Sequence, residues 1–247
     1  MQIKRERQNY AVMNQRHSGK TGHDDFPTPP WATRALCEHP WFAHSIANSH
    51  VWEPAAGRGY MAHALRGHLK KGKDVVGSDI YSFKNVFGEN ENVVCDFLSN
   101  ETVGNPAYWW VITNPPFRLA ADFARRSLTE GFSTALFVRL NWLESEERYE
   151  LFREFPVDAI LLFSSRVGLM GGMCSPLVST ATAYCWVVWT GAAMKVPRDD
   201  GFVFCRSMNW LSPNVRAKYE RSDDYPGFVV TGRSEKTGRL IWKPDEA

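Results

Sequence analysis

Hydrophobic residues along this chain fall into short apolar runs that alternate with segments of helical period. The apolar runs predict strands over residues 51–53, 74–80, 92–98, 108–113, 134–140, 158–163 and 183–189. Thr28 is predicted to cap a first helix that places Trp31, Ala35 and Leu36 on one face. Further helical patterns begin near residues 61, 119 and 144. This alternation predicts an α/β fold with a mainly parallel sheet and helices on both faces.

The two ends of the chain differ in composition from its middle. Residues 1–24 are polar and basic without clear periodicity, which predicts a flexible tail; the alternative is a basic arm that contacts phosphates. Residues 25–195 form the predicted domain. Residues 196–247 are more polar and are predicted to be a small C-terminal extension packed on it, with edge strands at 202–204 and 228–230. Further candidate phosphate contacts in this region are Lys195, Arg198 and Arg206.

Composition narrows the class of protein only in part. The net charge of +2 over 247 residues neither requires nor excludes a nucleic-acid partner. The sequence has no apolar run of membrane-spanning length and no signal-peptide pattern at its start, so a soluble, cytoplasmic protein is expected. The five cysteines form no Cys-x-x-Cys pair, and the histidines miss the spacing of one helical turn. Neither a metal site nor a disulfide framework is therefore expected.

The stretch with the clearest chemistry is 108–117, where an apolar run ends in Asn114-Pro115-Pro116-Phe117. The prolines stop the strand, so the carbonyl groups of Asn114 and Pro115 are left outside a sheet ladder. Two neighbouring acceptors suit a group with two N–H donors, such as a nucleobase amino group or an amide. The ring of Phe117 offers a flat face for stacking. The stretch is predicted to hold a planar amine; the alternative is a tight turn that caps a buried strand.

Three predicted strands end in carboxylates, at Glu53, Asp79 and Asp96. Glu53 precedes a turn that contains Gly57 and Gly59, and these glycines allow the backbone to approach a ligand closely. A carboxylate at this place repels a pyrophosphate but attracts an ammonium or sulfonium group. Asp79 follows the glycines by about twenty residues, the spacing at which an acid reaches ribose hydroxyls. The ligand expected here is cationic and carries a ribose.

Asn114-Pro115-Pro116-Phe117 after a hydrophobic strand resembles the catalytic tetrad of S-adenosylmethionine-dependent amino-methyltransferases, above all the small phage-type DNA adenine-N6 enzymes. Two other motifs are similar to that family. Residues 25–29 match its Asp-Phe-Tyr-Pro-Thr-Pro turn with one residue deleted, and residues 53–60 match its Glu-Pro-x-x-Gly-x-Gly-aromatic motif. The resemblance spans about 25–189. It implies a class I, Rossmann-like methyltransferase fold with a mainly parallel, seven-stranded sheet that includes one antiparallel strand.

The resemblance also implies which residues form the site. It assigns catalysis to the tetrad, Asn114, Pro115, Pro116 and Phe117. It implies contacts with S-adenosylmethionine by Thr28, Glu53, Pro54, Ala55, Gly57, Gly59, Tyr60, Asp79, Ile80, Asp96, Phe97 and Asn114. In this scheme Glu53, Asp79 and Asp96 face the methionine end, the ribose and the adenine of the cofactor. Substrate contacts are expected from Phe117, Arg139, Asn141 and Arg166, the last in a long loop over 164–182 that helps to hold an extruded base.

The activity that the resemblance implies is methyl transfer by direct displacement, most readily to N6 of adenine in DNA, without a metal. Related tetrads occur in enzymes that methylate RNA bases or protein glutamine, so both acceptors stay open. A non-catalytic nucleic-acid-binding subunit with the same fold is a further alternative. The sequence contains no second domain of the size that usually reads a target sequence. The recognition sequence is therefore not predicted, and a homodimer or a separate recognition subunit stays open.

Overall fold

The computed structural model describes residues 24–89, 92–99, 109–190 and 202–246. The strands in these ranges are β1 (His50–Glu53), β2 (Val75–Asp79), β3 (Val93–Val94), β4 (Trp109–Thr113), β5 (Ser133–Arg139), β6 (Ala159–Phe163), β7 (Tyr184–Trp189), β8 (Ser207–Leu211), β9 (Phe228–Arg233) and β10 (Leu240–Pro244). The helices are α1 (Pro30–Cys37), α2 (Ala43–Ala47), α3 (Tyr60–Arg66), α4 (Ala120–Thr129), α5 (Glu146–Glu154) and α6 (Val215–Tyr219). The predicted tail, apart from Asp24, and the candidate phosphate contacts Lys195 and Arg198 lie outside the described residues.

The main sheet has the strand order β3-β2-β1-β4-β5-β7-β6-β8. Strands β1 to β5 pair in parallel, and β7 runs antiparallel to both of its neighbours, β5 and β6. The predicted Rossmann-like fold class, with a mainly parallel sheet and an antiparallel strand, is therefore confirmed. The predicted number of seven strands is wrong, because β8 adds an eighth strand parallel to β6.

The eighth strand is formed by a different segment from the one that the sequence pattern predicts. The strand predicted at 202–204 is not formed. Pairing with β6 begins further along the chain, where the backbone N–H of Arg206 donates to the carbonyl of Val157. Met208 and Trp210 of β8 are exposed, so this edge strand does not turn its large apolar side chains toward the core. The predicted strand at 228–230 is confirmed as part of β9, which pairs with β10 in a separate antiparallel sheet.

Helices cover both faces of the main sheet, as the alternation predicted. Ala135 and Phe137 of β5 join the core cluster that contains residues of α1 and α3. Leu136 and Val138 of the same strand join a second cluster, which contains residues of α4 and α5. Because successive side chains of a strand point to opposite faces, β5 is buried on both sides. This explains why its sequence is an unbroken apolar run.

The first helix begins later than predicted. Its N-cap is Pro29 and Pro30 is its first residue, so the prediction that Thr28 caps this helix is wrong. Pro29 has an extended backbone, which suits an N-cap. Pro30 has no backbone N–H, so at the first helical position it leaves no donor without a partner. The side chain of Thr28 therefore makes no capping hydrogen bond and stays available for another role.

Two kinds of feature are missing from the part of the chain that the structure describes. Each helix there is too short or too polar to cross a membrane. The His, Cys, Asp and Glu side chains of the same ranges do not gather into groups of three or more that could hold a metal ion.

The C-terminal segment is joined to α1 by a buried ion pair. Arg34 Nη1 donates to Asp224 Oδ1 at 2.7 Å and to the carbonyl of Tyr219 at 3.0 Å. The side chains of Arg34 and Asp224 are 4% and 0% exposed. The helix that follows Thr28 is thus fixed by residues near the other end of the chain. The division at residue 195 into a domain and an extension stays a prediction.

We expect Asp224→Ala to lower the free energy of unfolding by about 3–5 kcal/mol, because it leaves the buried guanidinium of Arg34 without its counter-charge. The matched control is Asp223→Ala, which removes a carboxylate that is 64% exposed and lies 3.7 Å from His63. That change should cost less than about 1 kcal/mol. Urea unfolding measures both values. A small and equal effect of the two changes would contradict the role given to the ion pair.

Candidate active site

A cavity of about 270 Å³ opens at the carboxyl ends of β1, β2 and β4. These strands are neighbours and run parallel, so Glu53, Asp79 and Asn114 meet at the same edge of the sheet. The predicted residues that line the cavity are Thr28, Glu53, Pro54, Ala55, Gly57, Tyr60, Asp79, Ile80, Asp96, Phe97, Asn114 and Pro116. The fold therefore brings most of the predicted cofactor contacts together in one space. Their roles stay predictions.

Other residues line the same cavity without having been assigned to it from the sequence. These are Asp24, Asp25, Phe26, Pro27, Ala56, Arg58, Met61, Tyr81, Phe83, Cys95, Leu98, Leu119 and Phe123. Three of them, at positions 25–27, belong to the motif that resembles the methyltransferase turn. Their position next to Thr28 in the sequence could have indicated that they line the same cavity. Tyr81 and Phe83 follow the carboxylate at the end of β2, but no local pattern marks them.

Three side-chain oxygens on the cavity wall are buried without a hydrogen-bond partner among the described residues. They are Thr28 Oγ1, Glu53 Oε2 and Asn114 Oδ1. Buried polar atoms in folded proteins are nearly always hydrogen-bonded, because an unpaired one costs free energy. Three unpaired polar oxygens that line one cavity indicate a site for a ligand that brings hydrogen-bonding groups.

Glu53 is the most unusual of the three, because it is an almost fully buried carboxyl group with an exposure of 2%. Burial raises its pKa well above the usual value for Glu, and nearby Asp79 adds to that rise. The charge of Arg66 and a hydrogen bond from the backbone of Ala62 act in the opposite direction. A cationic ligand in the cavity would favour the ionised carboxylate in the same way as an opposite charge in the protein.

Asp79 is held by backbone donors instead. Its Oδ2 accepts a hydrogen bond from the N–H of Gly57 at 2.9 Å, and its Oδ1 accepts one from the N–H of Tyr81 at 3.1 Å. Burial raises the pKa of Asp79, and these two hydrogen bonds reduce the rise. Each carboxylate oxygen can accept more than one hydrogen bond. Asp79 is thus fixed in orientation and keeps acceptor capacity for hydroxyl groups.

The glycine turn between β1 and α3 requires glycine for two reasons. Gly57 and Gly59 have φ values of 50° and 87°, in the left-handed region that favours glycine. At Gly59 there is also no room, since a Cβ would lie 2.5 Å from Asn85 Nδ2. Asn85 is buried and accepts a hydrogen bond from the N–H of Phe87, which limits its movement. Gly59 does not line the cavity but shapes the turn that does.

We expect Gly59→Ala to destabilise the protein more than Gly72→Ala, by at least about 1 kcal/mol. Both glycines have nearly the same φ, 87° and 85°, so the backbone strain of an alanine should be similar. At Gly72, however, a Cβ would meet no heavy atom within 4 Å. The difference in unfolding free energy therefore measures the contact with Asn85. Equal losses of unfolding free energy in the two variants would show that Asn85 moves away from the new Cβ without a cost in free energy.

The amide of Asn114 is oriented by a hydrogen bond from its nitrogen. Asn114 Nδ2 donates to the carbonyl of Phe26 at 2.8 Å. Because the nitrogen is engaged in this way, the oxygen Oδ1 is the atom left without a partner. The backbone N–H of Phe117 donates to Asp24 Oδ2 at 3.0 Å. The chain before α1 thus holds the tetrad from outside the sheet.

Residues 24–28 are also hydrogen-bonded to Arg58 in the cavity wall and to the long loop after β6. Asp25 Oδ2 accepts a hydrogen bond from Arg58 Nε at 2.8 Å. The carbonyl of Asp25 accepts one from the N–H of Gly172 at 2.8 Å, and the carbonyl of Pro27 accepts one from the thiol of Cys174 at 3.2 Å. The long loop after β6 therefore packs against the motif that carries Thr28.

Phe117 lies next to the cavity but not in its wall, and its ring is already in contact with other side chains. The guanidinium carbon of Arg139 lies 4.1 Å from the centre of the ring. The ring of Phe26 lies at 6.0 Å and is tilted by 39°. The predicted stacking of a base on Phe117 therefore involves the guanidinium of Arg139 as a neighbour, which the sequence did not reveal.

The structure does not bring every predicted site residue to the cavity. Pro115 and Gly59 are not among the residues that line it. Asn141 is exposed in the 3-10 turn Leu140–Leu143, and Arg166 is exposed in the long loop after β6. Their predicted contacts with substrate can be made only by a ligand that extends beyond the cavity.

No protein-family model matches this chain, and no curated protein matches its sequence. Solved structures match its fold at low identity. One is the methyltransferase subunit of a type I restriction-modification system from Streptococcus thermophilus, which is 9% identical with a TM-score of 0.47. The match covers 69% of this chain and 46% of the subunit, so the chain spans less than half of that subunit's length.

Two other solved structures show a similar degree of likeness. A provisionally assigned RNA methyltransferase from Pyrococcus horikoshii is 14% identical with a TM-score of 0.45, over 66% of this chain and 84% of that protein. A provisionally assigned hemolysin from Lactococcus lactis is 10% identical with a TM-score of 0.44, over 72% and 90%. At these identities and TM-scores the likeness indicates neither an activity nor a substrate. Function has to follow from the residues of this chain.

The cavity wall carries two chemically different groups of residues. One group is Glu53 and the glycine turn, which together can hold a cationic group close to the backbone. The other is Asn114 Oδ1, an oriented amide acceptor next to two prolines. An arrangement of this kind can place an N–H group of one molecule against a cationic molecule bound beside it.

Proposed function

We propose that this protein transfers a methyl group from S-adenosylmethionine to an exocyclic amino nitrogen, with N6 of adenine in DNA as the acceptor. The observation that carries the proposal is the set of three unpartnered buried oxygens, Thr28 Oγ1, Glu53 Oε2 and Asn114 Oδ1, on the wall of one cavity. Two of these face the donor end in this proposal, and the third faces the acceptor end. Each lacks a hydrogen-bond partner, which a bound ligand would bring.

The residues at the donor end fit S-adenosylmethionine. Glu53 would pair with its ammonium group, since an unpaired buried carboxyl group is favoured in its ionised form by a cation. Asp79, held by two backbone N–H groups, would accept hydrogen bonds from the ribose. Asp96 lines the same cavity and would accept from the adenine amino group. When bound, this cofactor supplies a methyl group on a positively charged sulfur.

The residues at the acceptor end would activate an amino nitrogen. The lone pair of an aromatic amine is delocalised into its ring, which makes the nitrogen a poor nucleophile. Asn114 Oδ1 on the cavity wall, and the carbonyl of Pro115, which follows it in the chain but does not line the cavity, would each accept one of its two N–H bonds. This favours the tetrahedral nitrogen in which the lone pair is available. The hydrogen bond from Asn114 Nδ2 to Phe26 keeps the oxygen in the accepting position.

Two features support a nucleobase as the acceptor. The motif at 25–29 resembles the turn of DNA adenine methyltransferases, and it lies directly against the tetrad. The aromatic ring of Phe117, the last residue of the tetrad, suits a base that has been flipped out of its duplex. An RNA base or a protein glutamine amide stays the second candidate, because the tetrad chemistry is the same. The unpaired acceptors favour an enzyme over a non-catalytic subunit, because such a subunit has no need for them.

The test is incubation with methyl-labelled S-adenosylmethionine and separate pools of DNA, RNA and protein. The expected result is label in DNA, released as N6-methyldeoxyadenosine in a nucleoside digest. Label in RNA or in protein glutamine would support the second candidate instead. If no pool is labelled and calorimetry detects no binding of S-adenosylmethionine, the protein is not a methyltransferase.

A further inference from the structure

We propose that Arg139 binds a phosphate of the strand that carries the target base, so that the substrate is a polynucleotide and not a protein amide or a free nucleoside. This inference rests on the proposed function and specifies its substrate class. Arg139 is the last residue of β5 and pairs in register with Tyr184 of β7. Its guanidinium carbon lies 4.1 Å from the ring centre of Phe117, the last residue of the tetrad.

The positive charge of Arg139 has no carboxylate partner among the described residues. None of the ion pairs found there includes Arg139. Its Nε is buried and has no hydrogen-bond partner. Arginines that are withdrawn from water are normally paired with an acid, because an uncompensated charge is costly there. A partly buried and unpaired arginine next to a candidate site indicates that an anion arrives with the ligand.

Among the described residues Asp24 is a nearby acid, but one of its carboxylate oxygens is engaged elsewhere. Its Oδ2 accepts the hydrogen bond from the backbone N–H of Phe117. The pKa of Tyr184 reports both charges: burial raises it, Arg139 lowers it and Asp24 raises it. Asp24 is therefore close enough to influence Tyr184 but forms no ion pair with Arg139. The counter-ion for Arg139 has to come from outside the described residues.

The guanidinium is held in place by uncharged neighbours. The side chain of Tyr184 lies close enough for Arg139 to lower its pKa. The ring of Tyr184 is buried and stacks on Phe137 at 5.0 Å with an angle of 6° between the planes. With Phe117 against its face as well, the guanidinium loses little freedom when it binds a ligand. A planar fork that is fixed in this way suits the two oxygens of a phosphate.

The chemistry of the acceptor decides between a phosphate and other anions. If the tetrad grips the amino group of a base, the sugar and phosphate of the same strand must pass close to it. A polynucleotide brings a phosphate with every nucleotide, whatever its sequence. A glutamine side chain brings no anion of its own, and a nucleoside brings none at all. An unpaired arginine beside the tetrad is thus expected if the substrate is a polynucleotide. With a glutamine side chain or a nucleoside as substrate, it would have no anion to bind.

The test uses neutral methylphosphonate groups in place of single phosphates. Once the methylated adenine has been mapped, oligonucleotides with that target and one methylphosphonate at each nearby position are titrated against wild type and Arg139→Gln. We expect wild type to lose about tenfold or more in affinity at one position. Arg139→Gln should bind the unmodified oligonucleotide more weakly by a similar factor. For this variant, a methylphosphonate at that position should cause no further loss of affinity.

Two further variants complete the design. Arg139→Lys keeps the charge but not the planar, two-pronged guanidinium. Its affinity should therefore still fall when the same phosphate is replaced by a methylphosphonate, but by a smaller factor than that of wild type. Should Arg139→Gln lose affinity for S-adenosylmethionine, a sign of misfolding, Arg139→Lys carries the test. Arg125→Gln removes an arginine that is paired with Glu154, and it should behave as wild type.

The outcomes separate this inference from the proposed function. Equal sensitivity of wild type and Arg139→Gln at every position would show that Arg139 contacts no phosphate. Efficient methylation of free deoxyadenosine or of a protein by wild type would also overturn the inference, while methyl transfer itself would stand. If wild type transfers no methyl group to any acceptor, the proposed function fails first.

Discussion

Replacing Asn114 by alanine is expected to reduce methyl transfer by about 100- to 1,000-fold and to leave the affinity for S-adenosylmethionine largely unchanged. The change removes Oδ1, the unpaired acceptor that would orient the amino group of the substrate in the proposed mechanism. Glu53 and Asp79, which are proposed to hold the cofactor, are not altered. Single-turnover transfer of a labelled methyl group measures the first effect, and calorimetry measures the second.

The control for this change is Asn48→Ala, which removes an amide whose Nδ2 donates to the carbonyl of His44 next to α2. This position is not among the residues that line the cavity, so both measured quantities should match wild type. Asn114→Ala also removes the donor to Phe26, and a modest loss of stability is expected. An equal loss of transfer and of cofactor binding would show that Asn114 is structural, and the proposed mechanism would be wrong.

Replacing Glu53 by glutamine is expected to act in opposite directions on cofactor binding and on stability. The affinity for S-adenosylmethionine should fall about 30-fold or more, because the ammonium group would lose its buried counter-charge. The empty protein should become more stable, since glutamine has nearly the same shape and carries no charge that burial penalises. A rise in Tm of a few degrees is expected, because about 1 kcal/mol corresponds to roughly 2–4 °C at this size.

The pH dependence of stability follows from the raised pKa of Glu53. Burial, the main cause, makes the folded protein hold this proton to higher pH than the unfolded chain does. The stabilisation that this proton provides is therefore fully present at pH values below the pKa of Glu53 in the unfolded chain. It is lost as the pH rises through the pKa of Glu53 in the folded protein. Wild type should lose this part of its stability on going to higher pH, and Glu53→Gln should not. Thermal unfolding over a range of pH tests the difference.

Cofactor affinity should depend on pH in the opposite sense. As the pH rises and Glu53 loses its proton, wild type should bind the ammonium group more tightly. Glu53→Gln should lack this rise. The matched control is Glu147→Gln, which alters a carboxylate that is 61% exposed and lies beside Arg148. A Glu53→Gln variant with normal cofactor affinity would remove Glu53 from the site and with it the main support for a cationic cofactor.

The parts of the fold that could be predicted are those whose residues are buried on both faces of the sheet. The runs that form β5 and β7 are continuous and apolar because helices or strands cover both of their sides. The strand β8 was missed because it lies at the edge and exposes Met208 and Trp210. Phe202 and Phe204 look more like a strand in sequence, but pairing with β6 begins only after them.

The candidate site could be predicted where one short motif carries the information. Glu53 and the glycine turn are neighbours in sequence, so their proximity in space followed directly. The ties from Asp24 and Phe26 to the tetrad could not be predicted, since they join residues 93 and 88 positions apart. The contact of Arg139 with Phe117 depends on how β5 and the turn after β4 are placed side by side. Local patterns contain no information about that placement.

The ion pair between Arg34 and Asp224 joins positions that are 190 residues apart. Asp224 is therefore synthesised long after Arg34. Until then the helix that follows Thr28 lacks the anchor that fixes it, and closing so long a loop is a slow step in folding. The cavity beside Thr28 is therefore expected to be completed only after residue 224 has been synthesised, so a chain that ends before it would lack a fully ordered site.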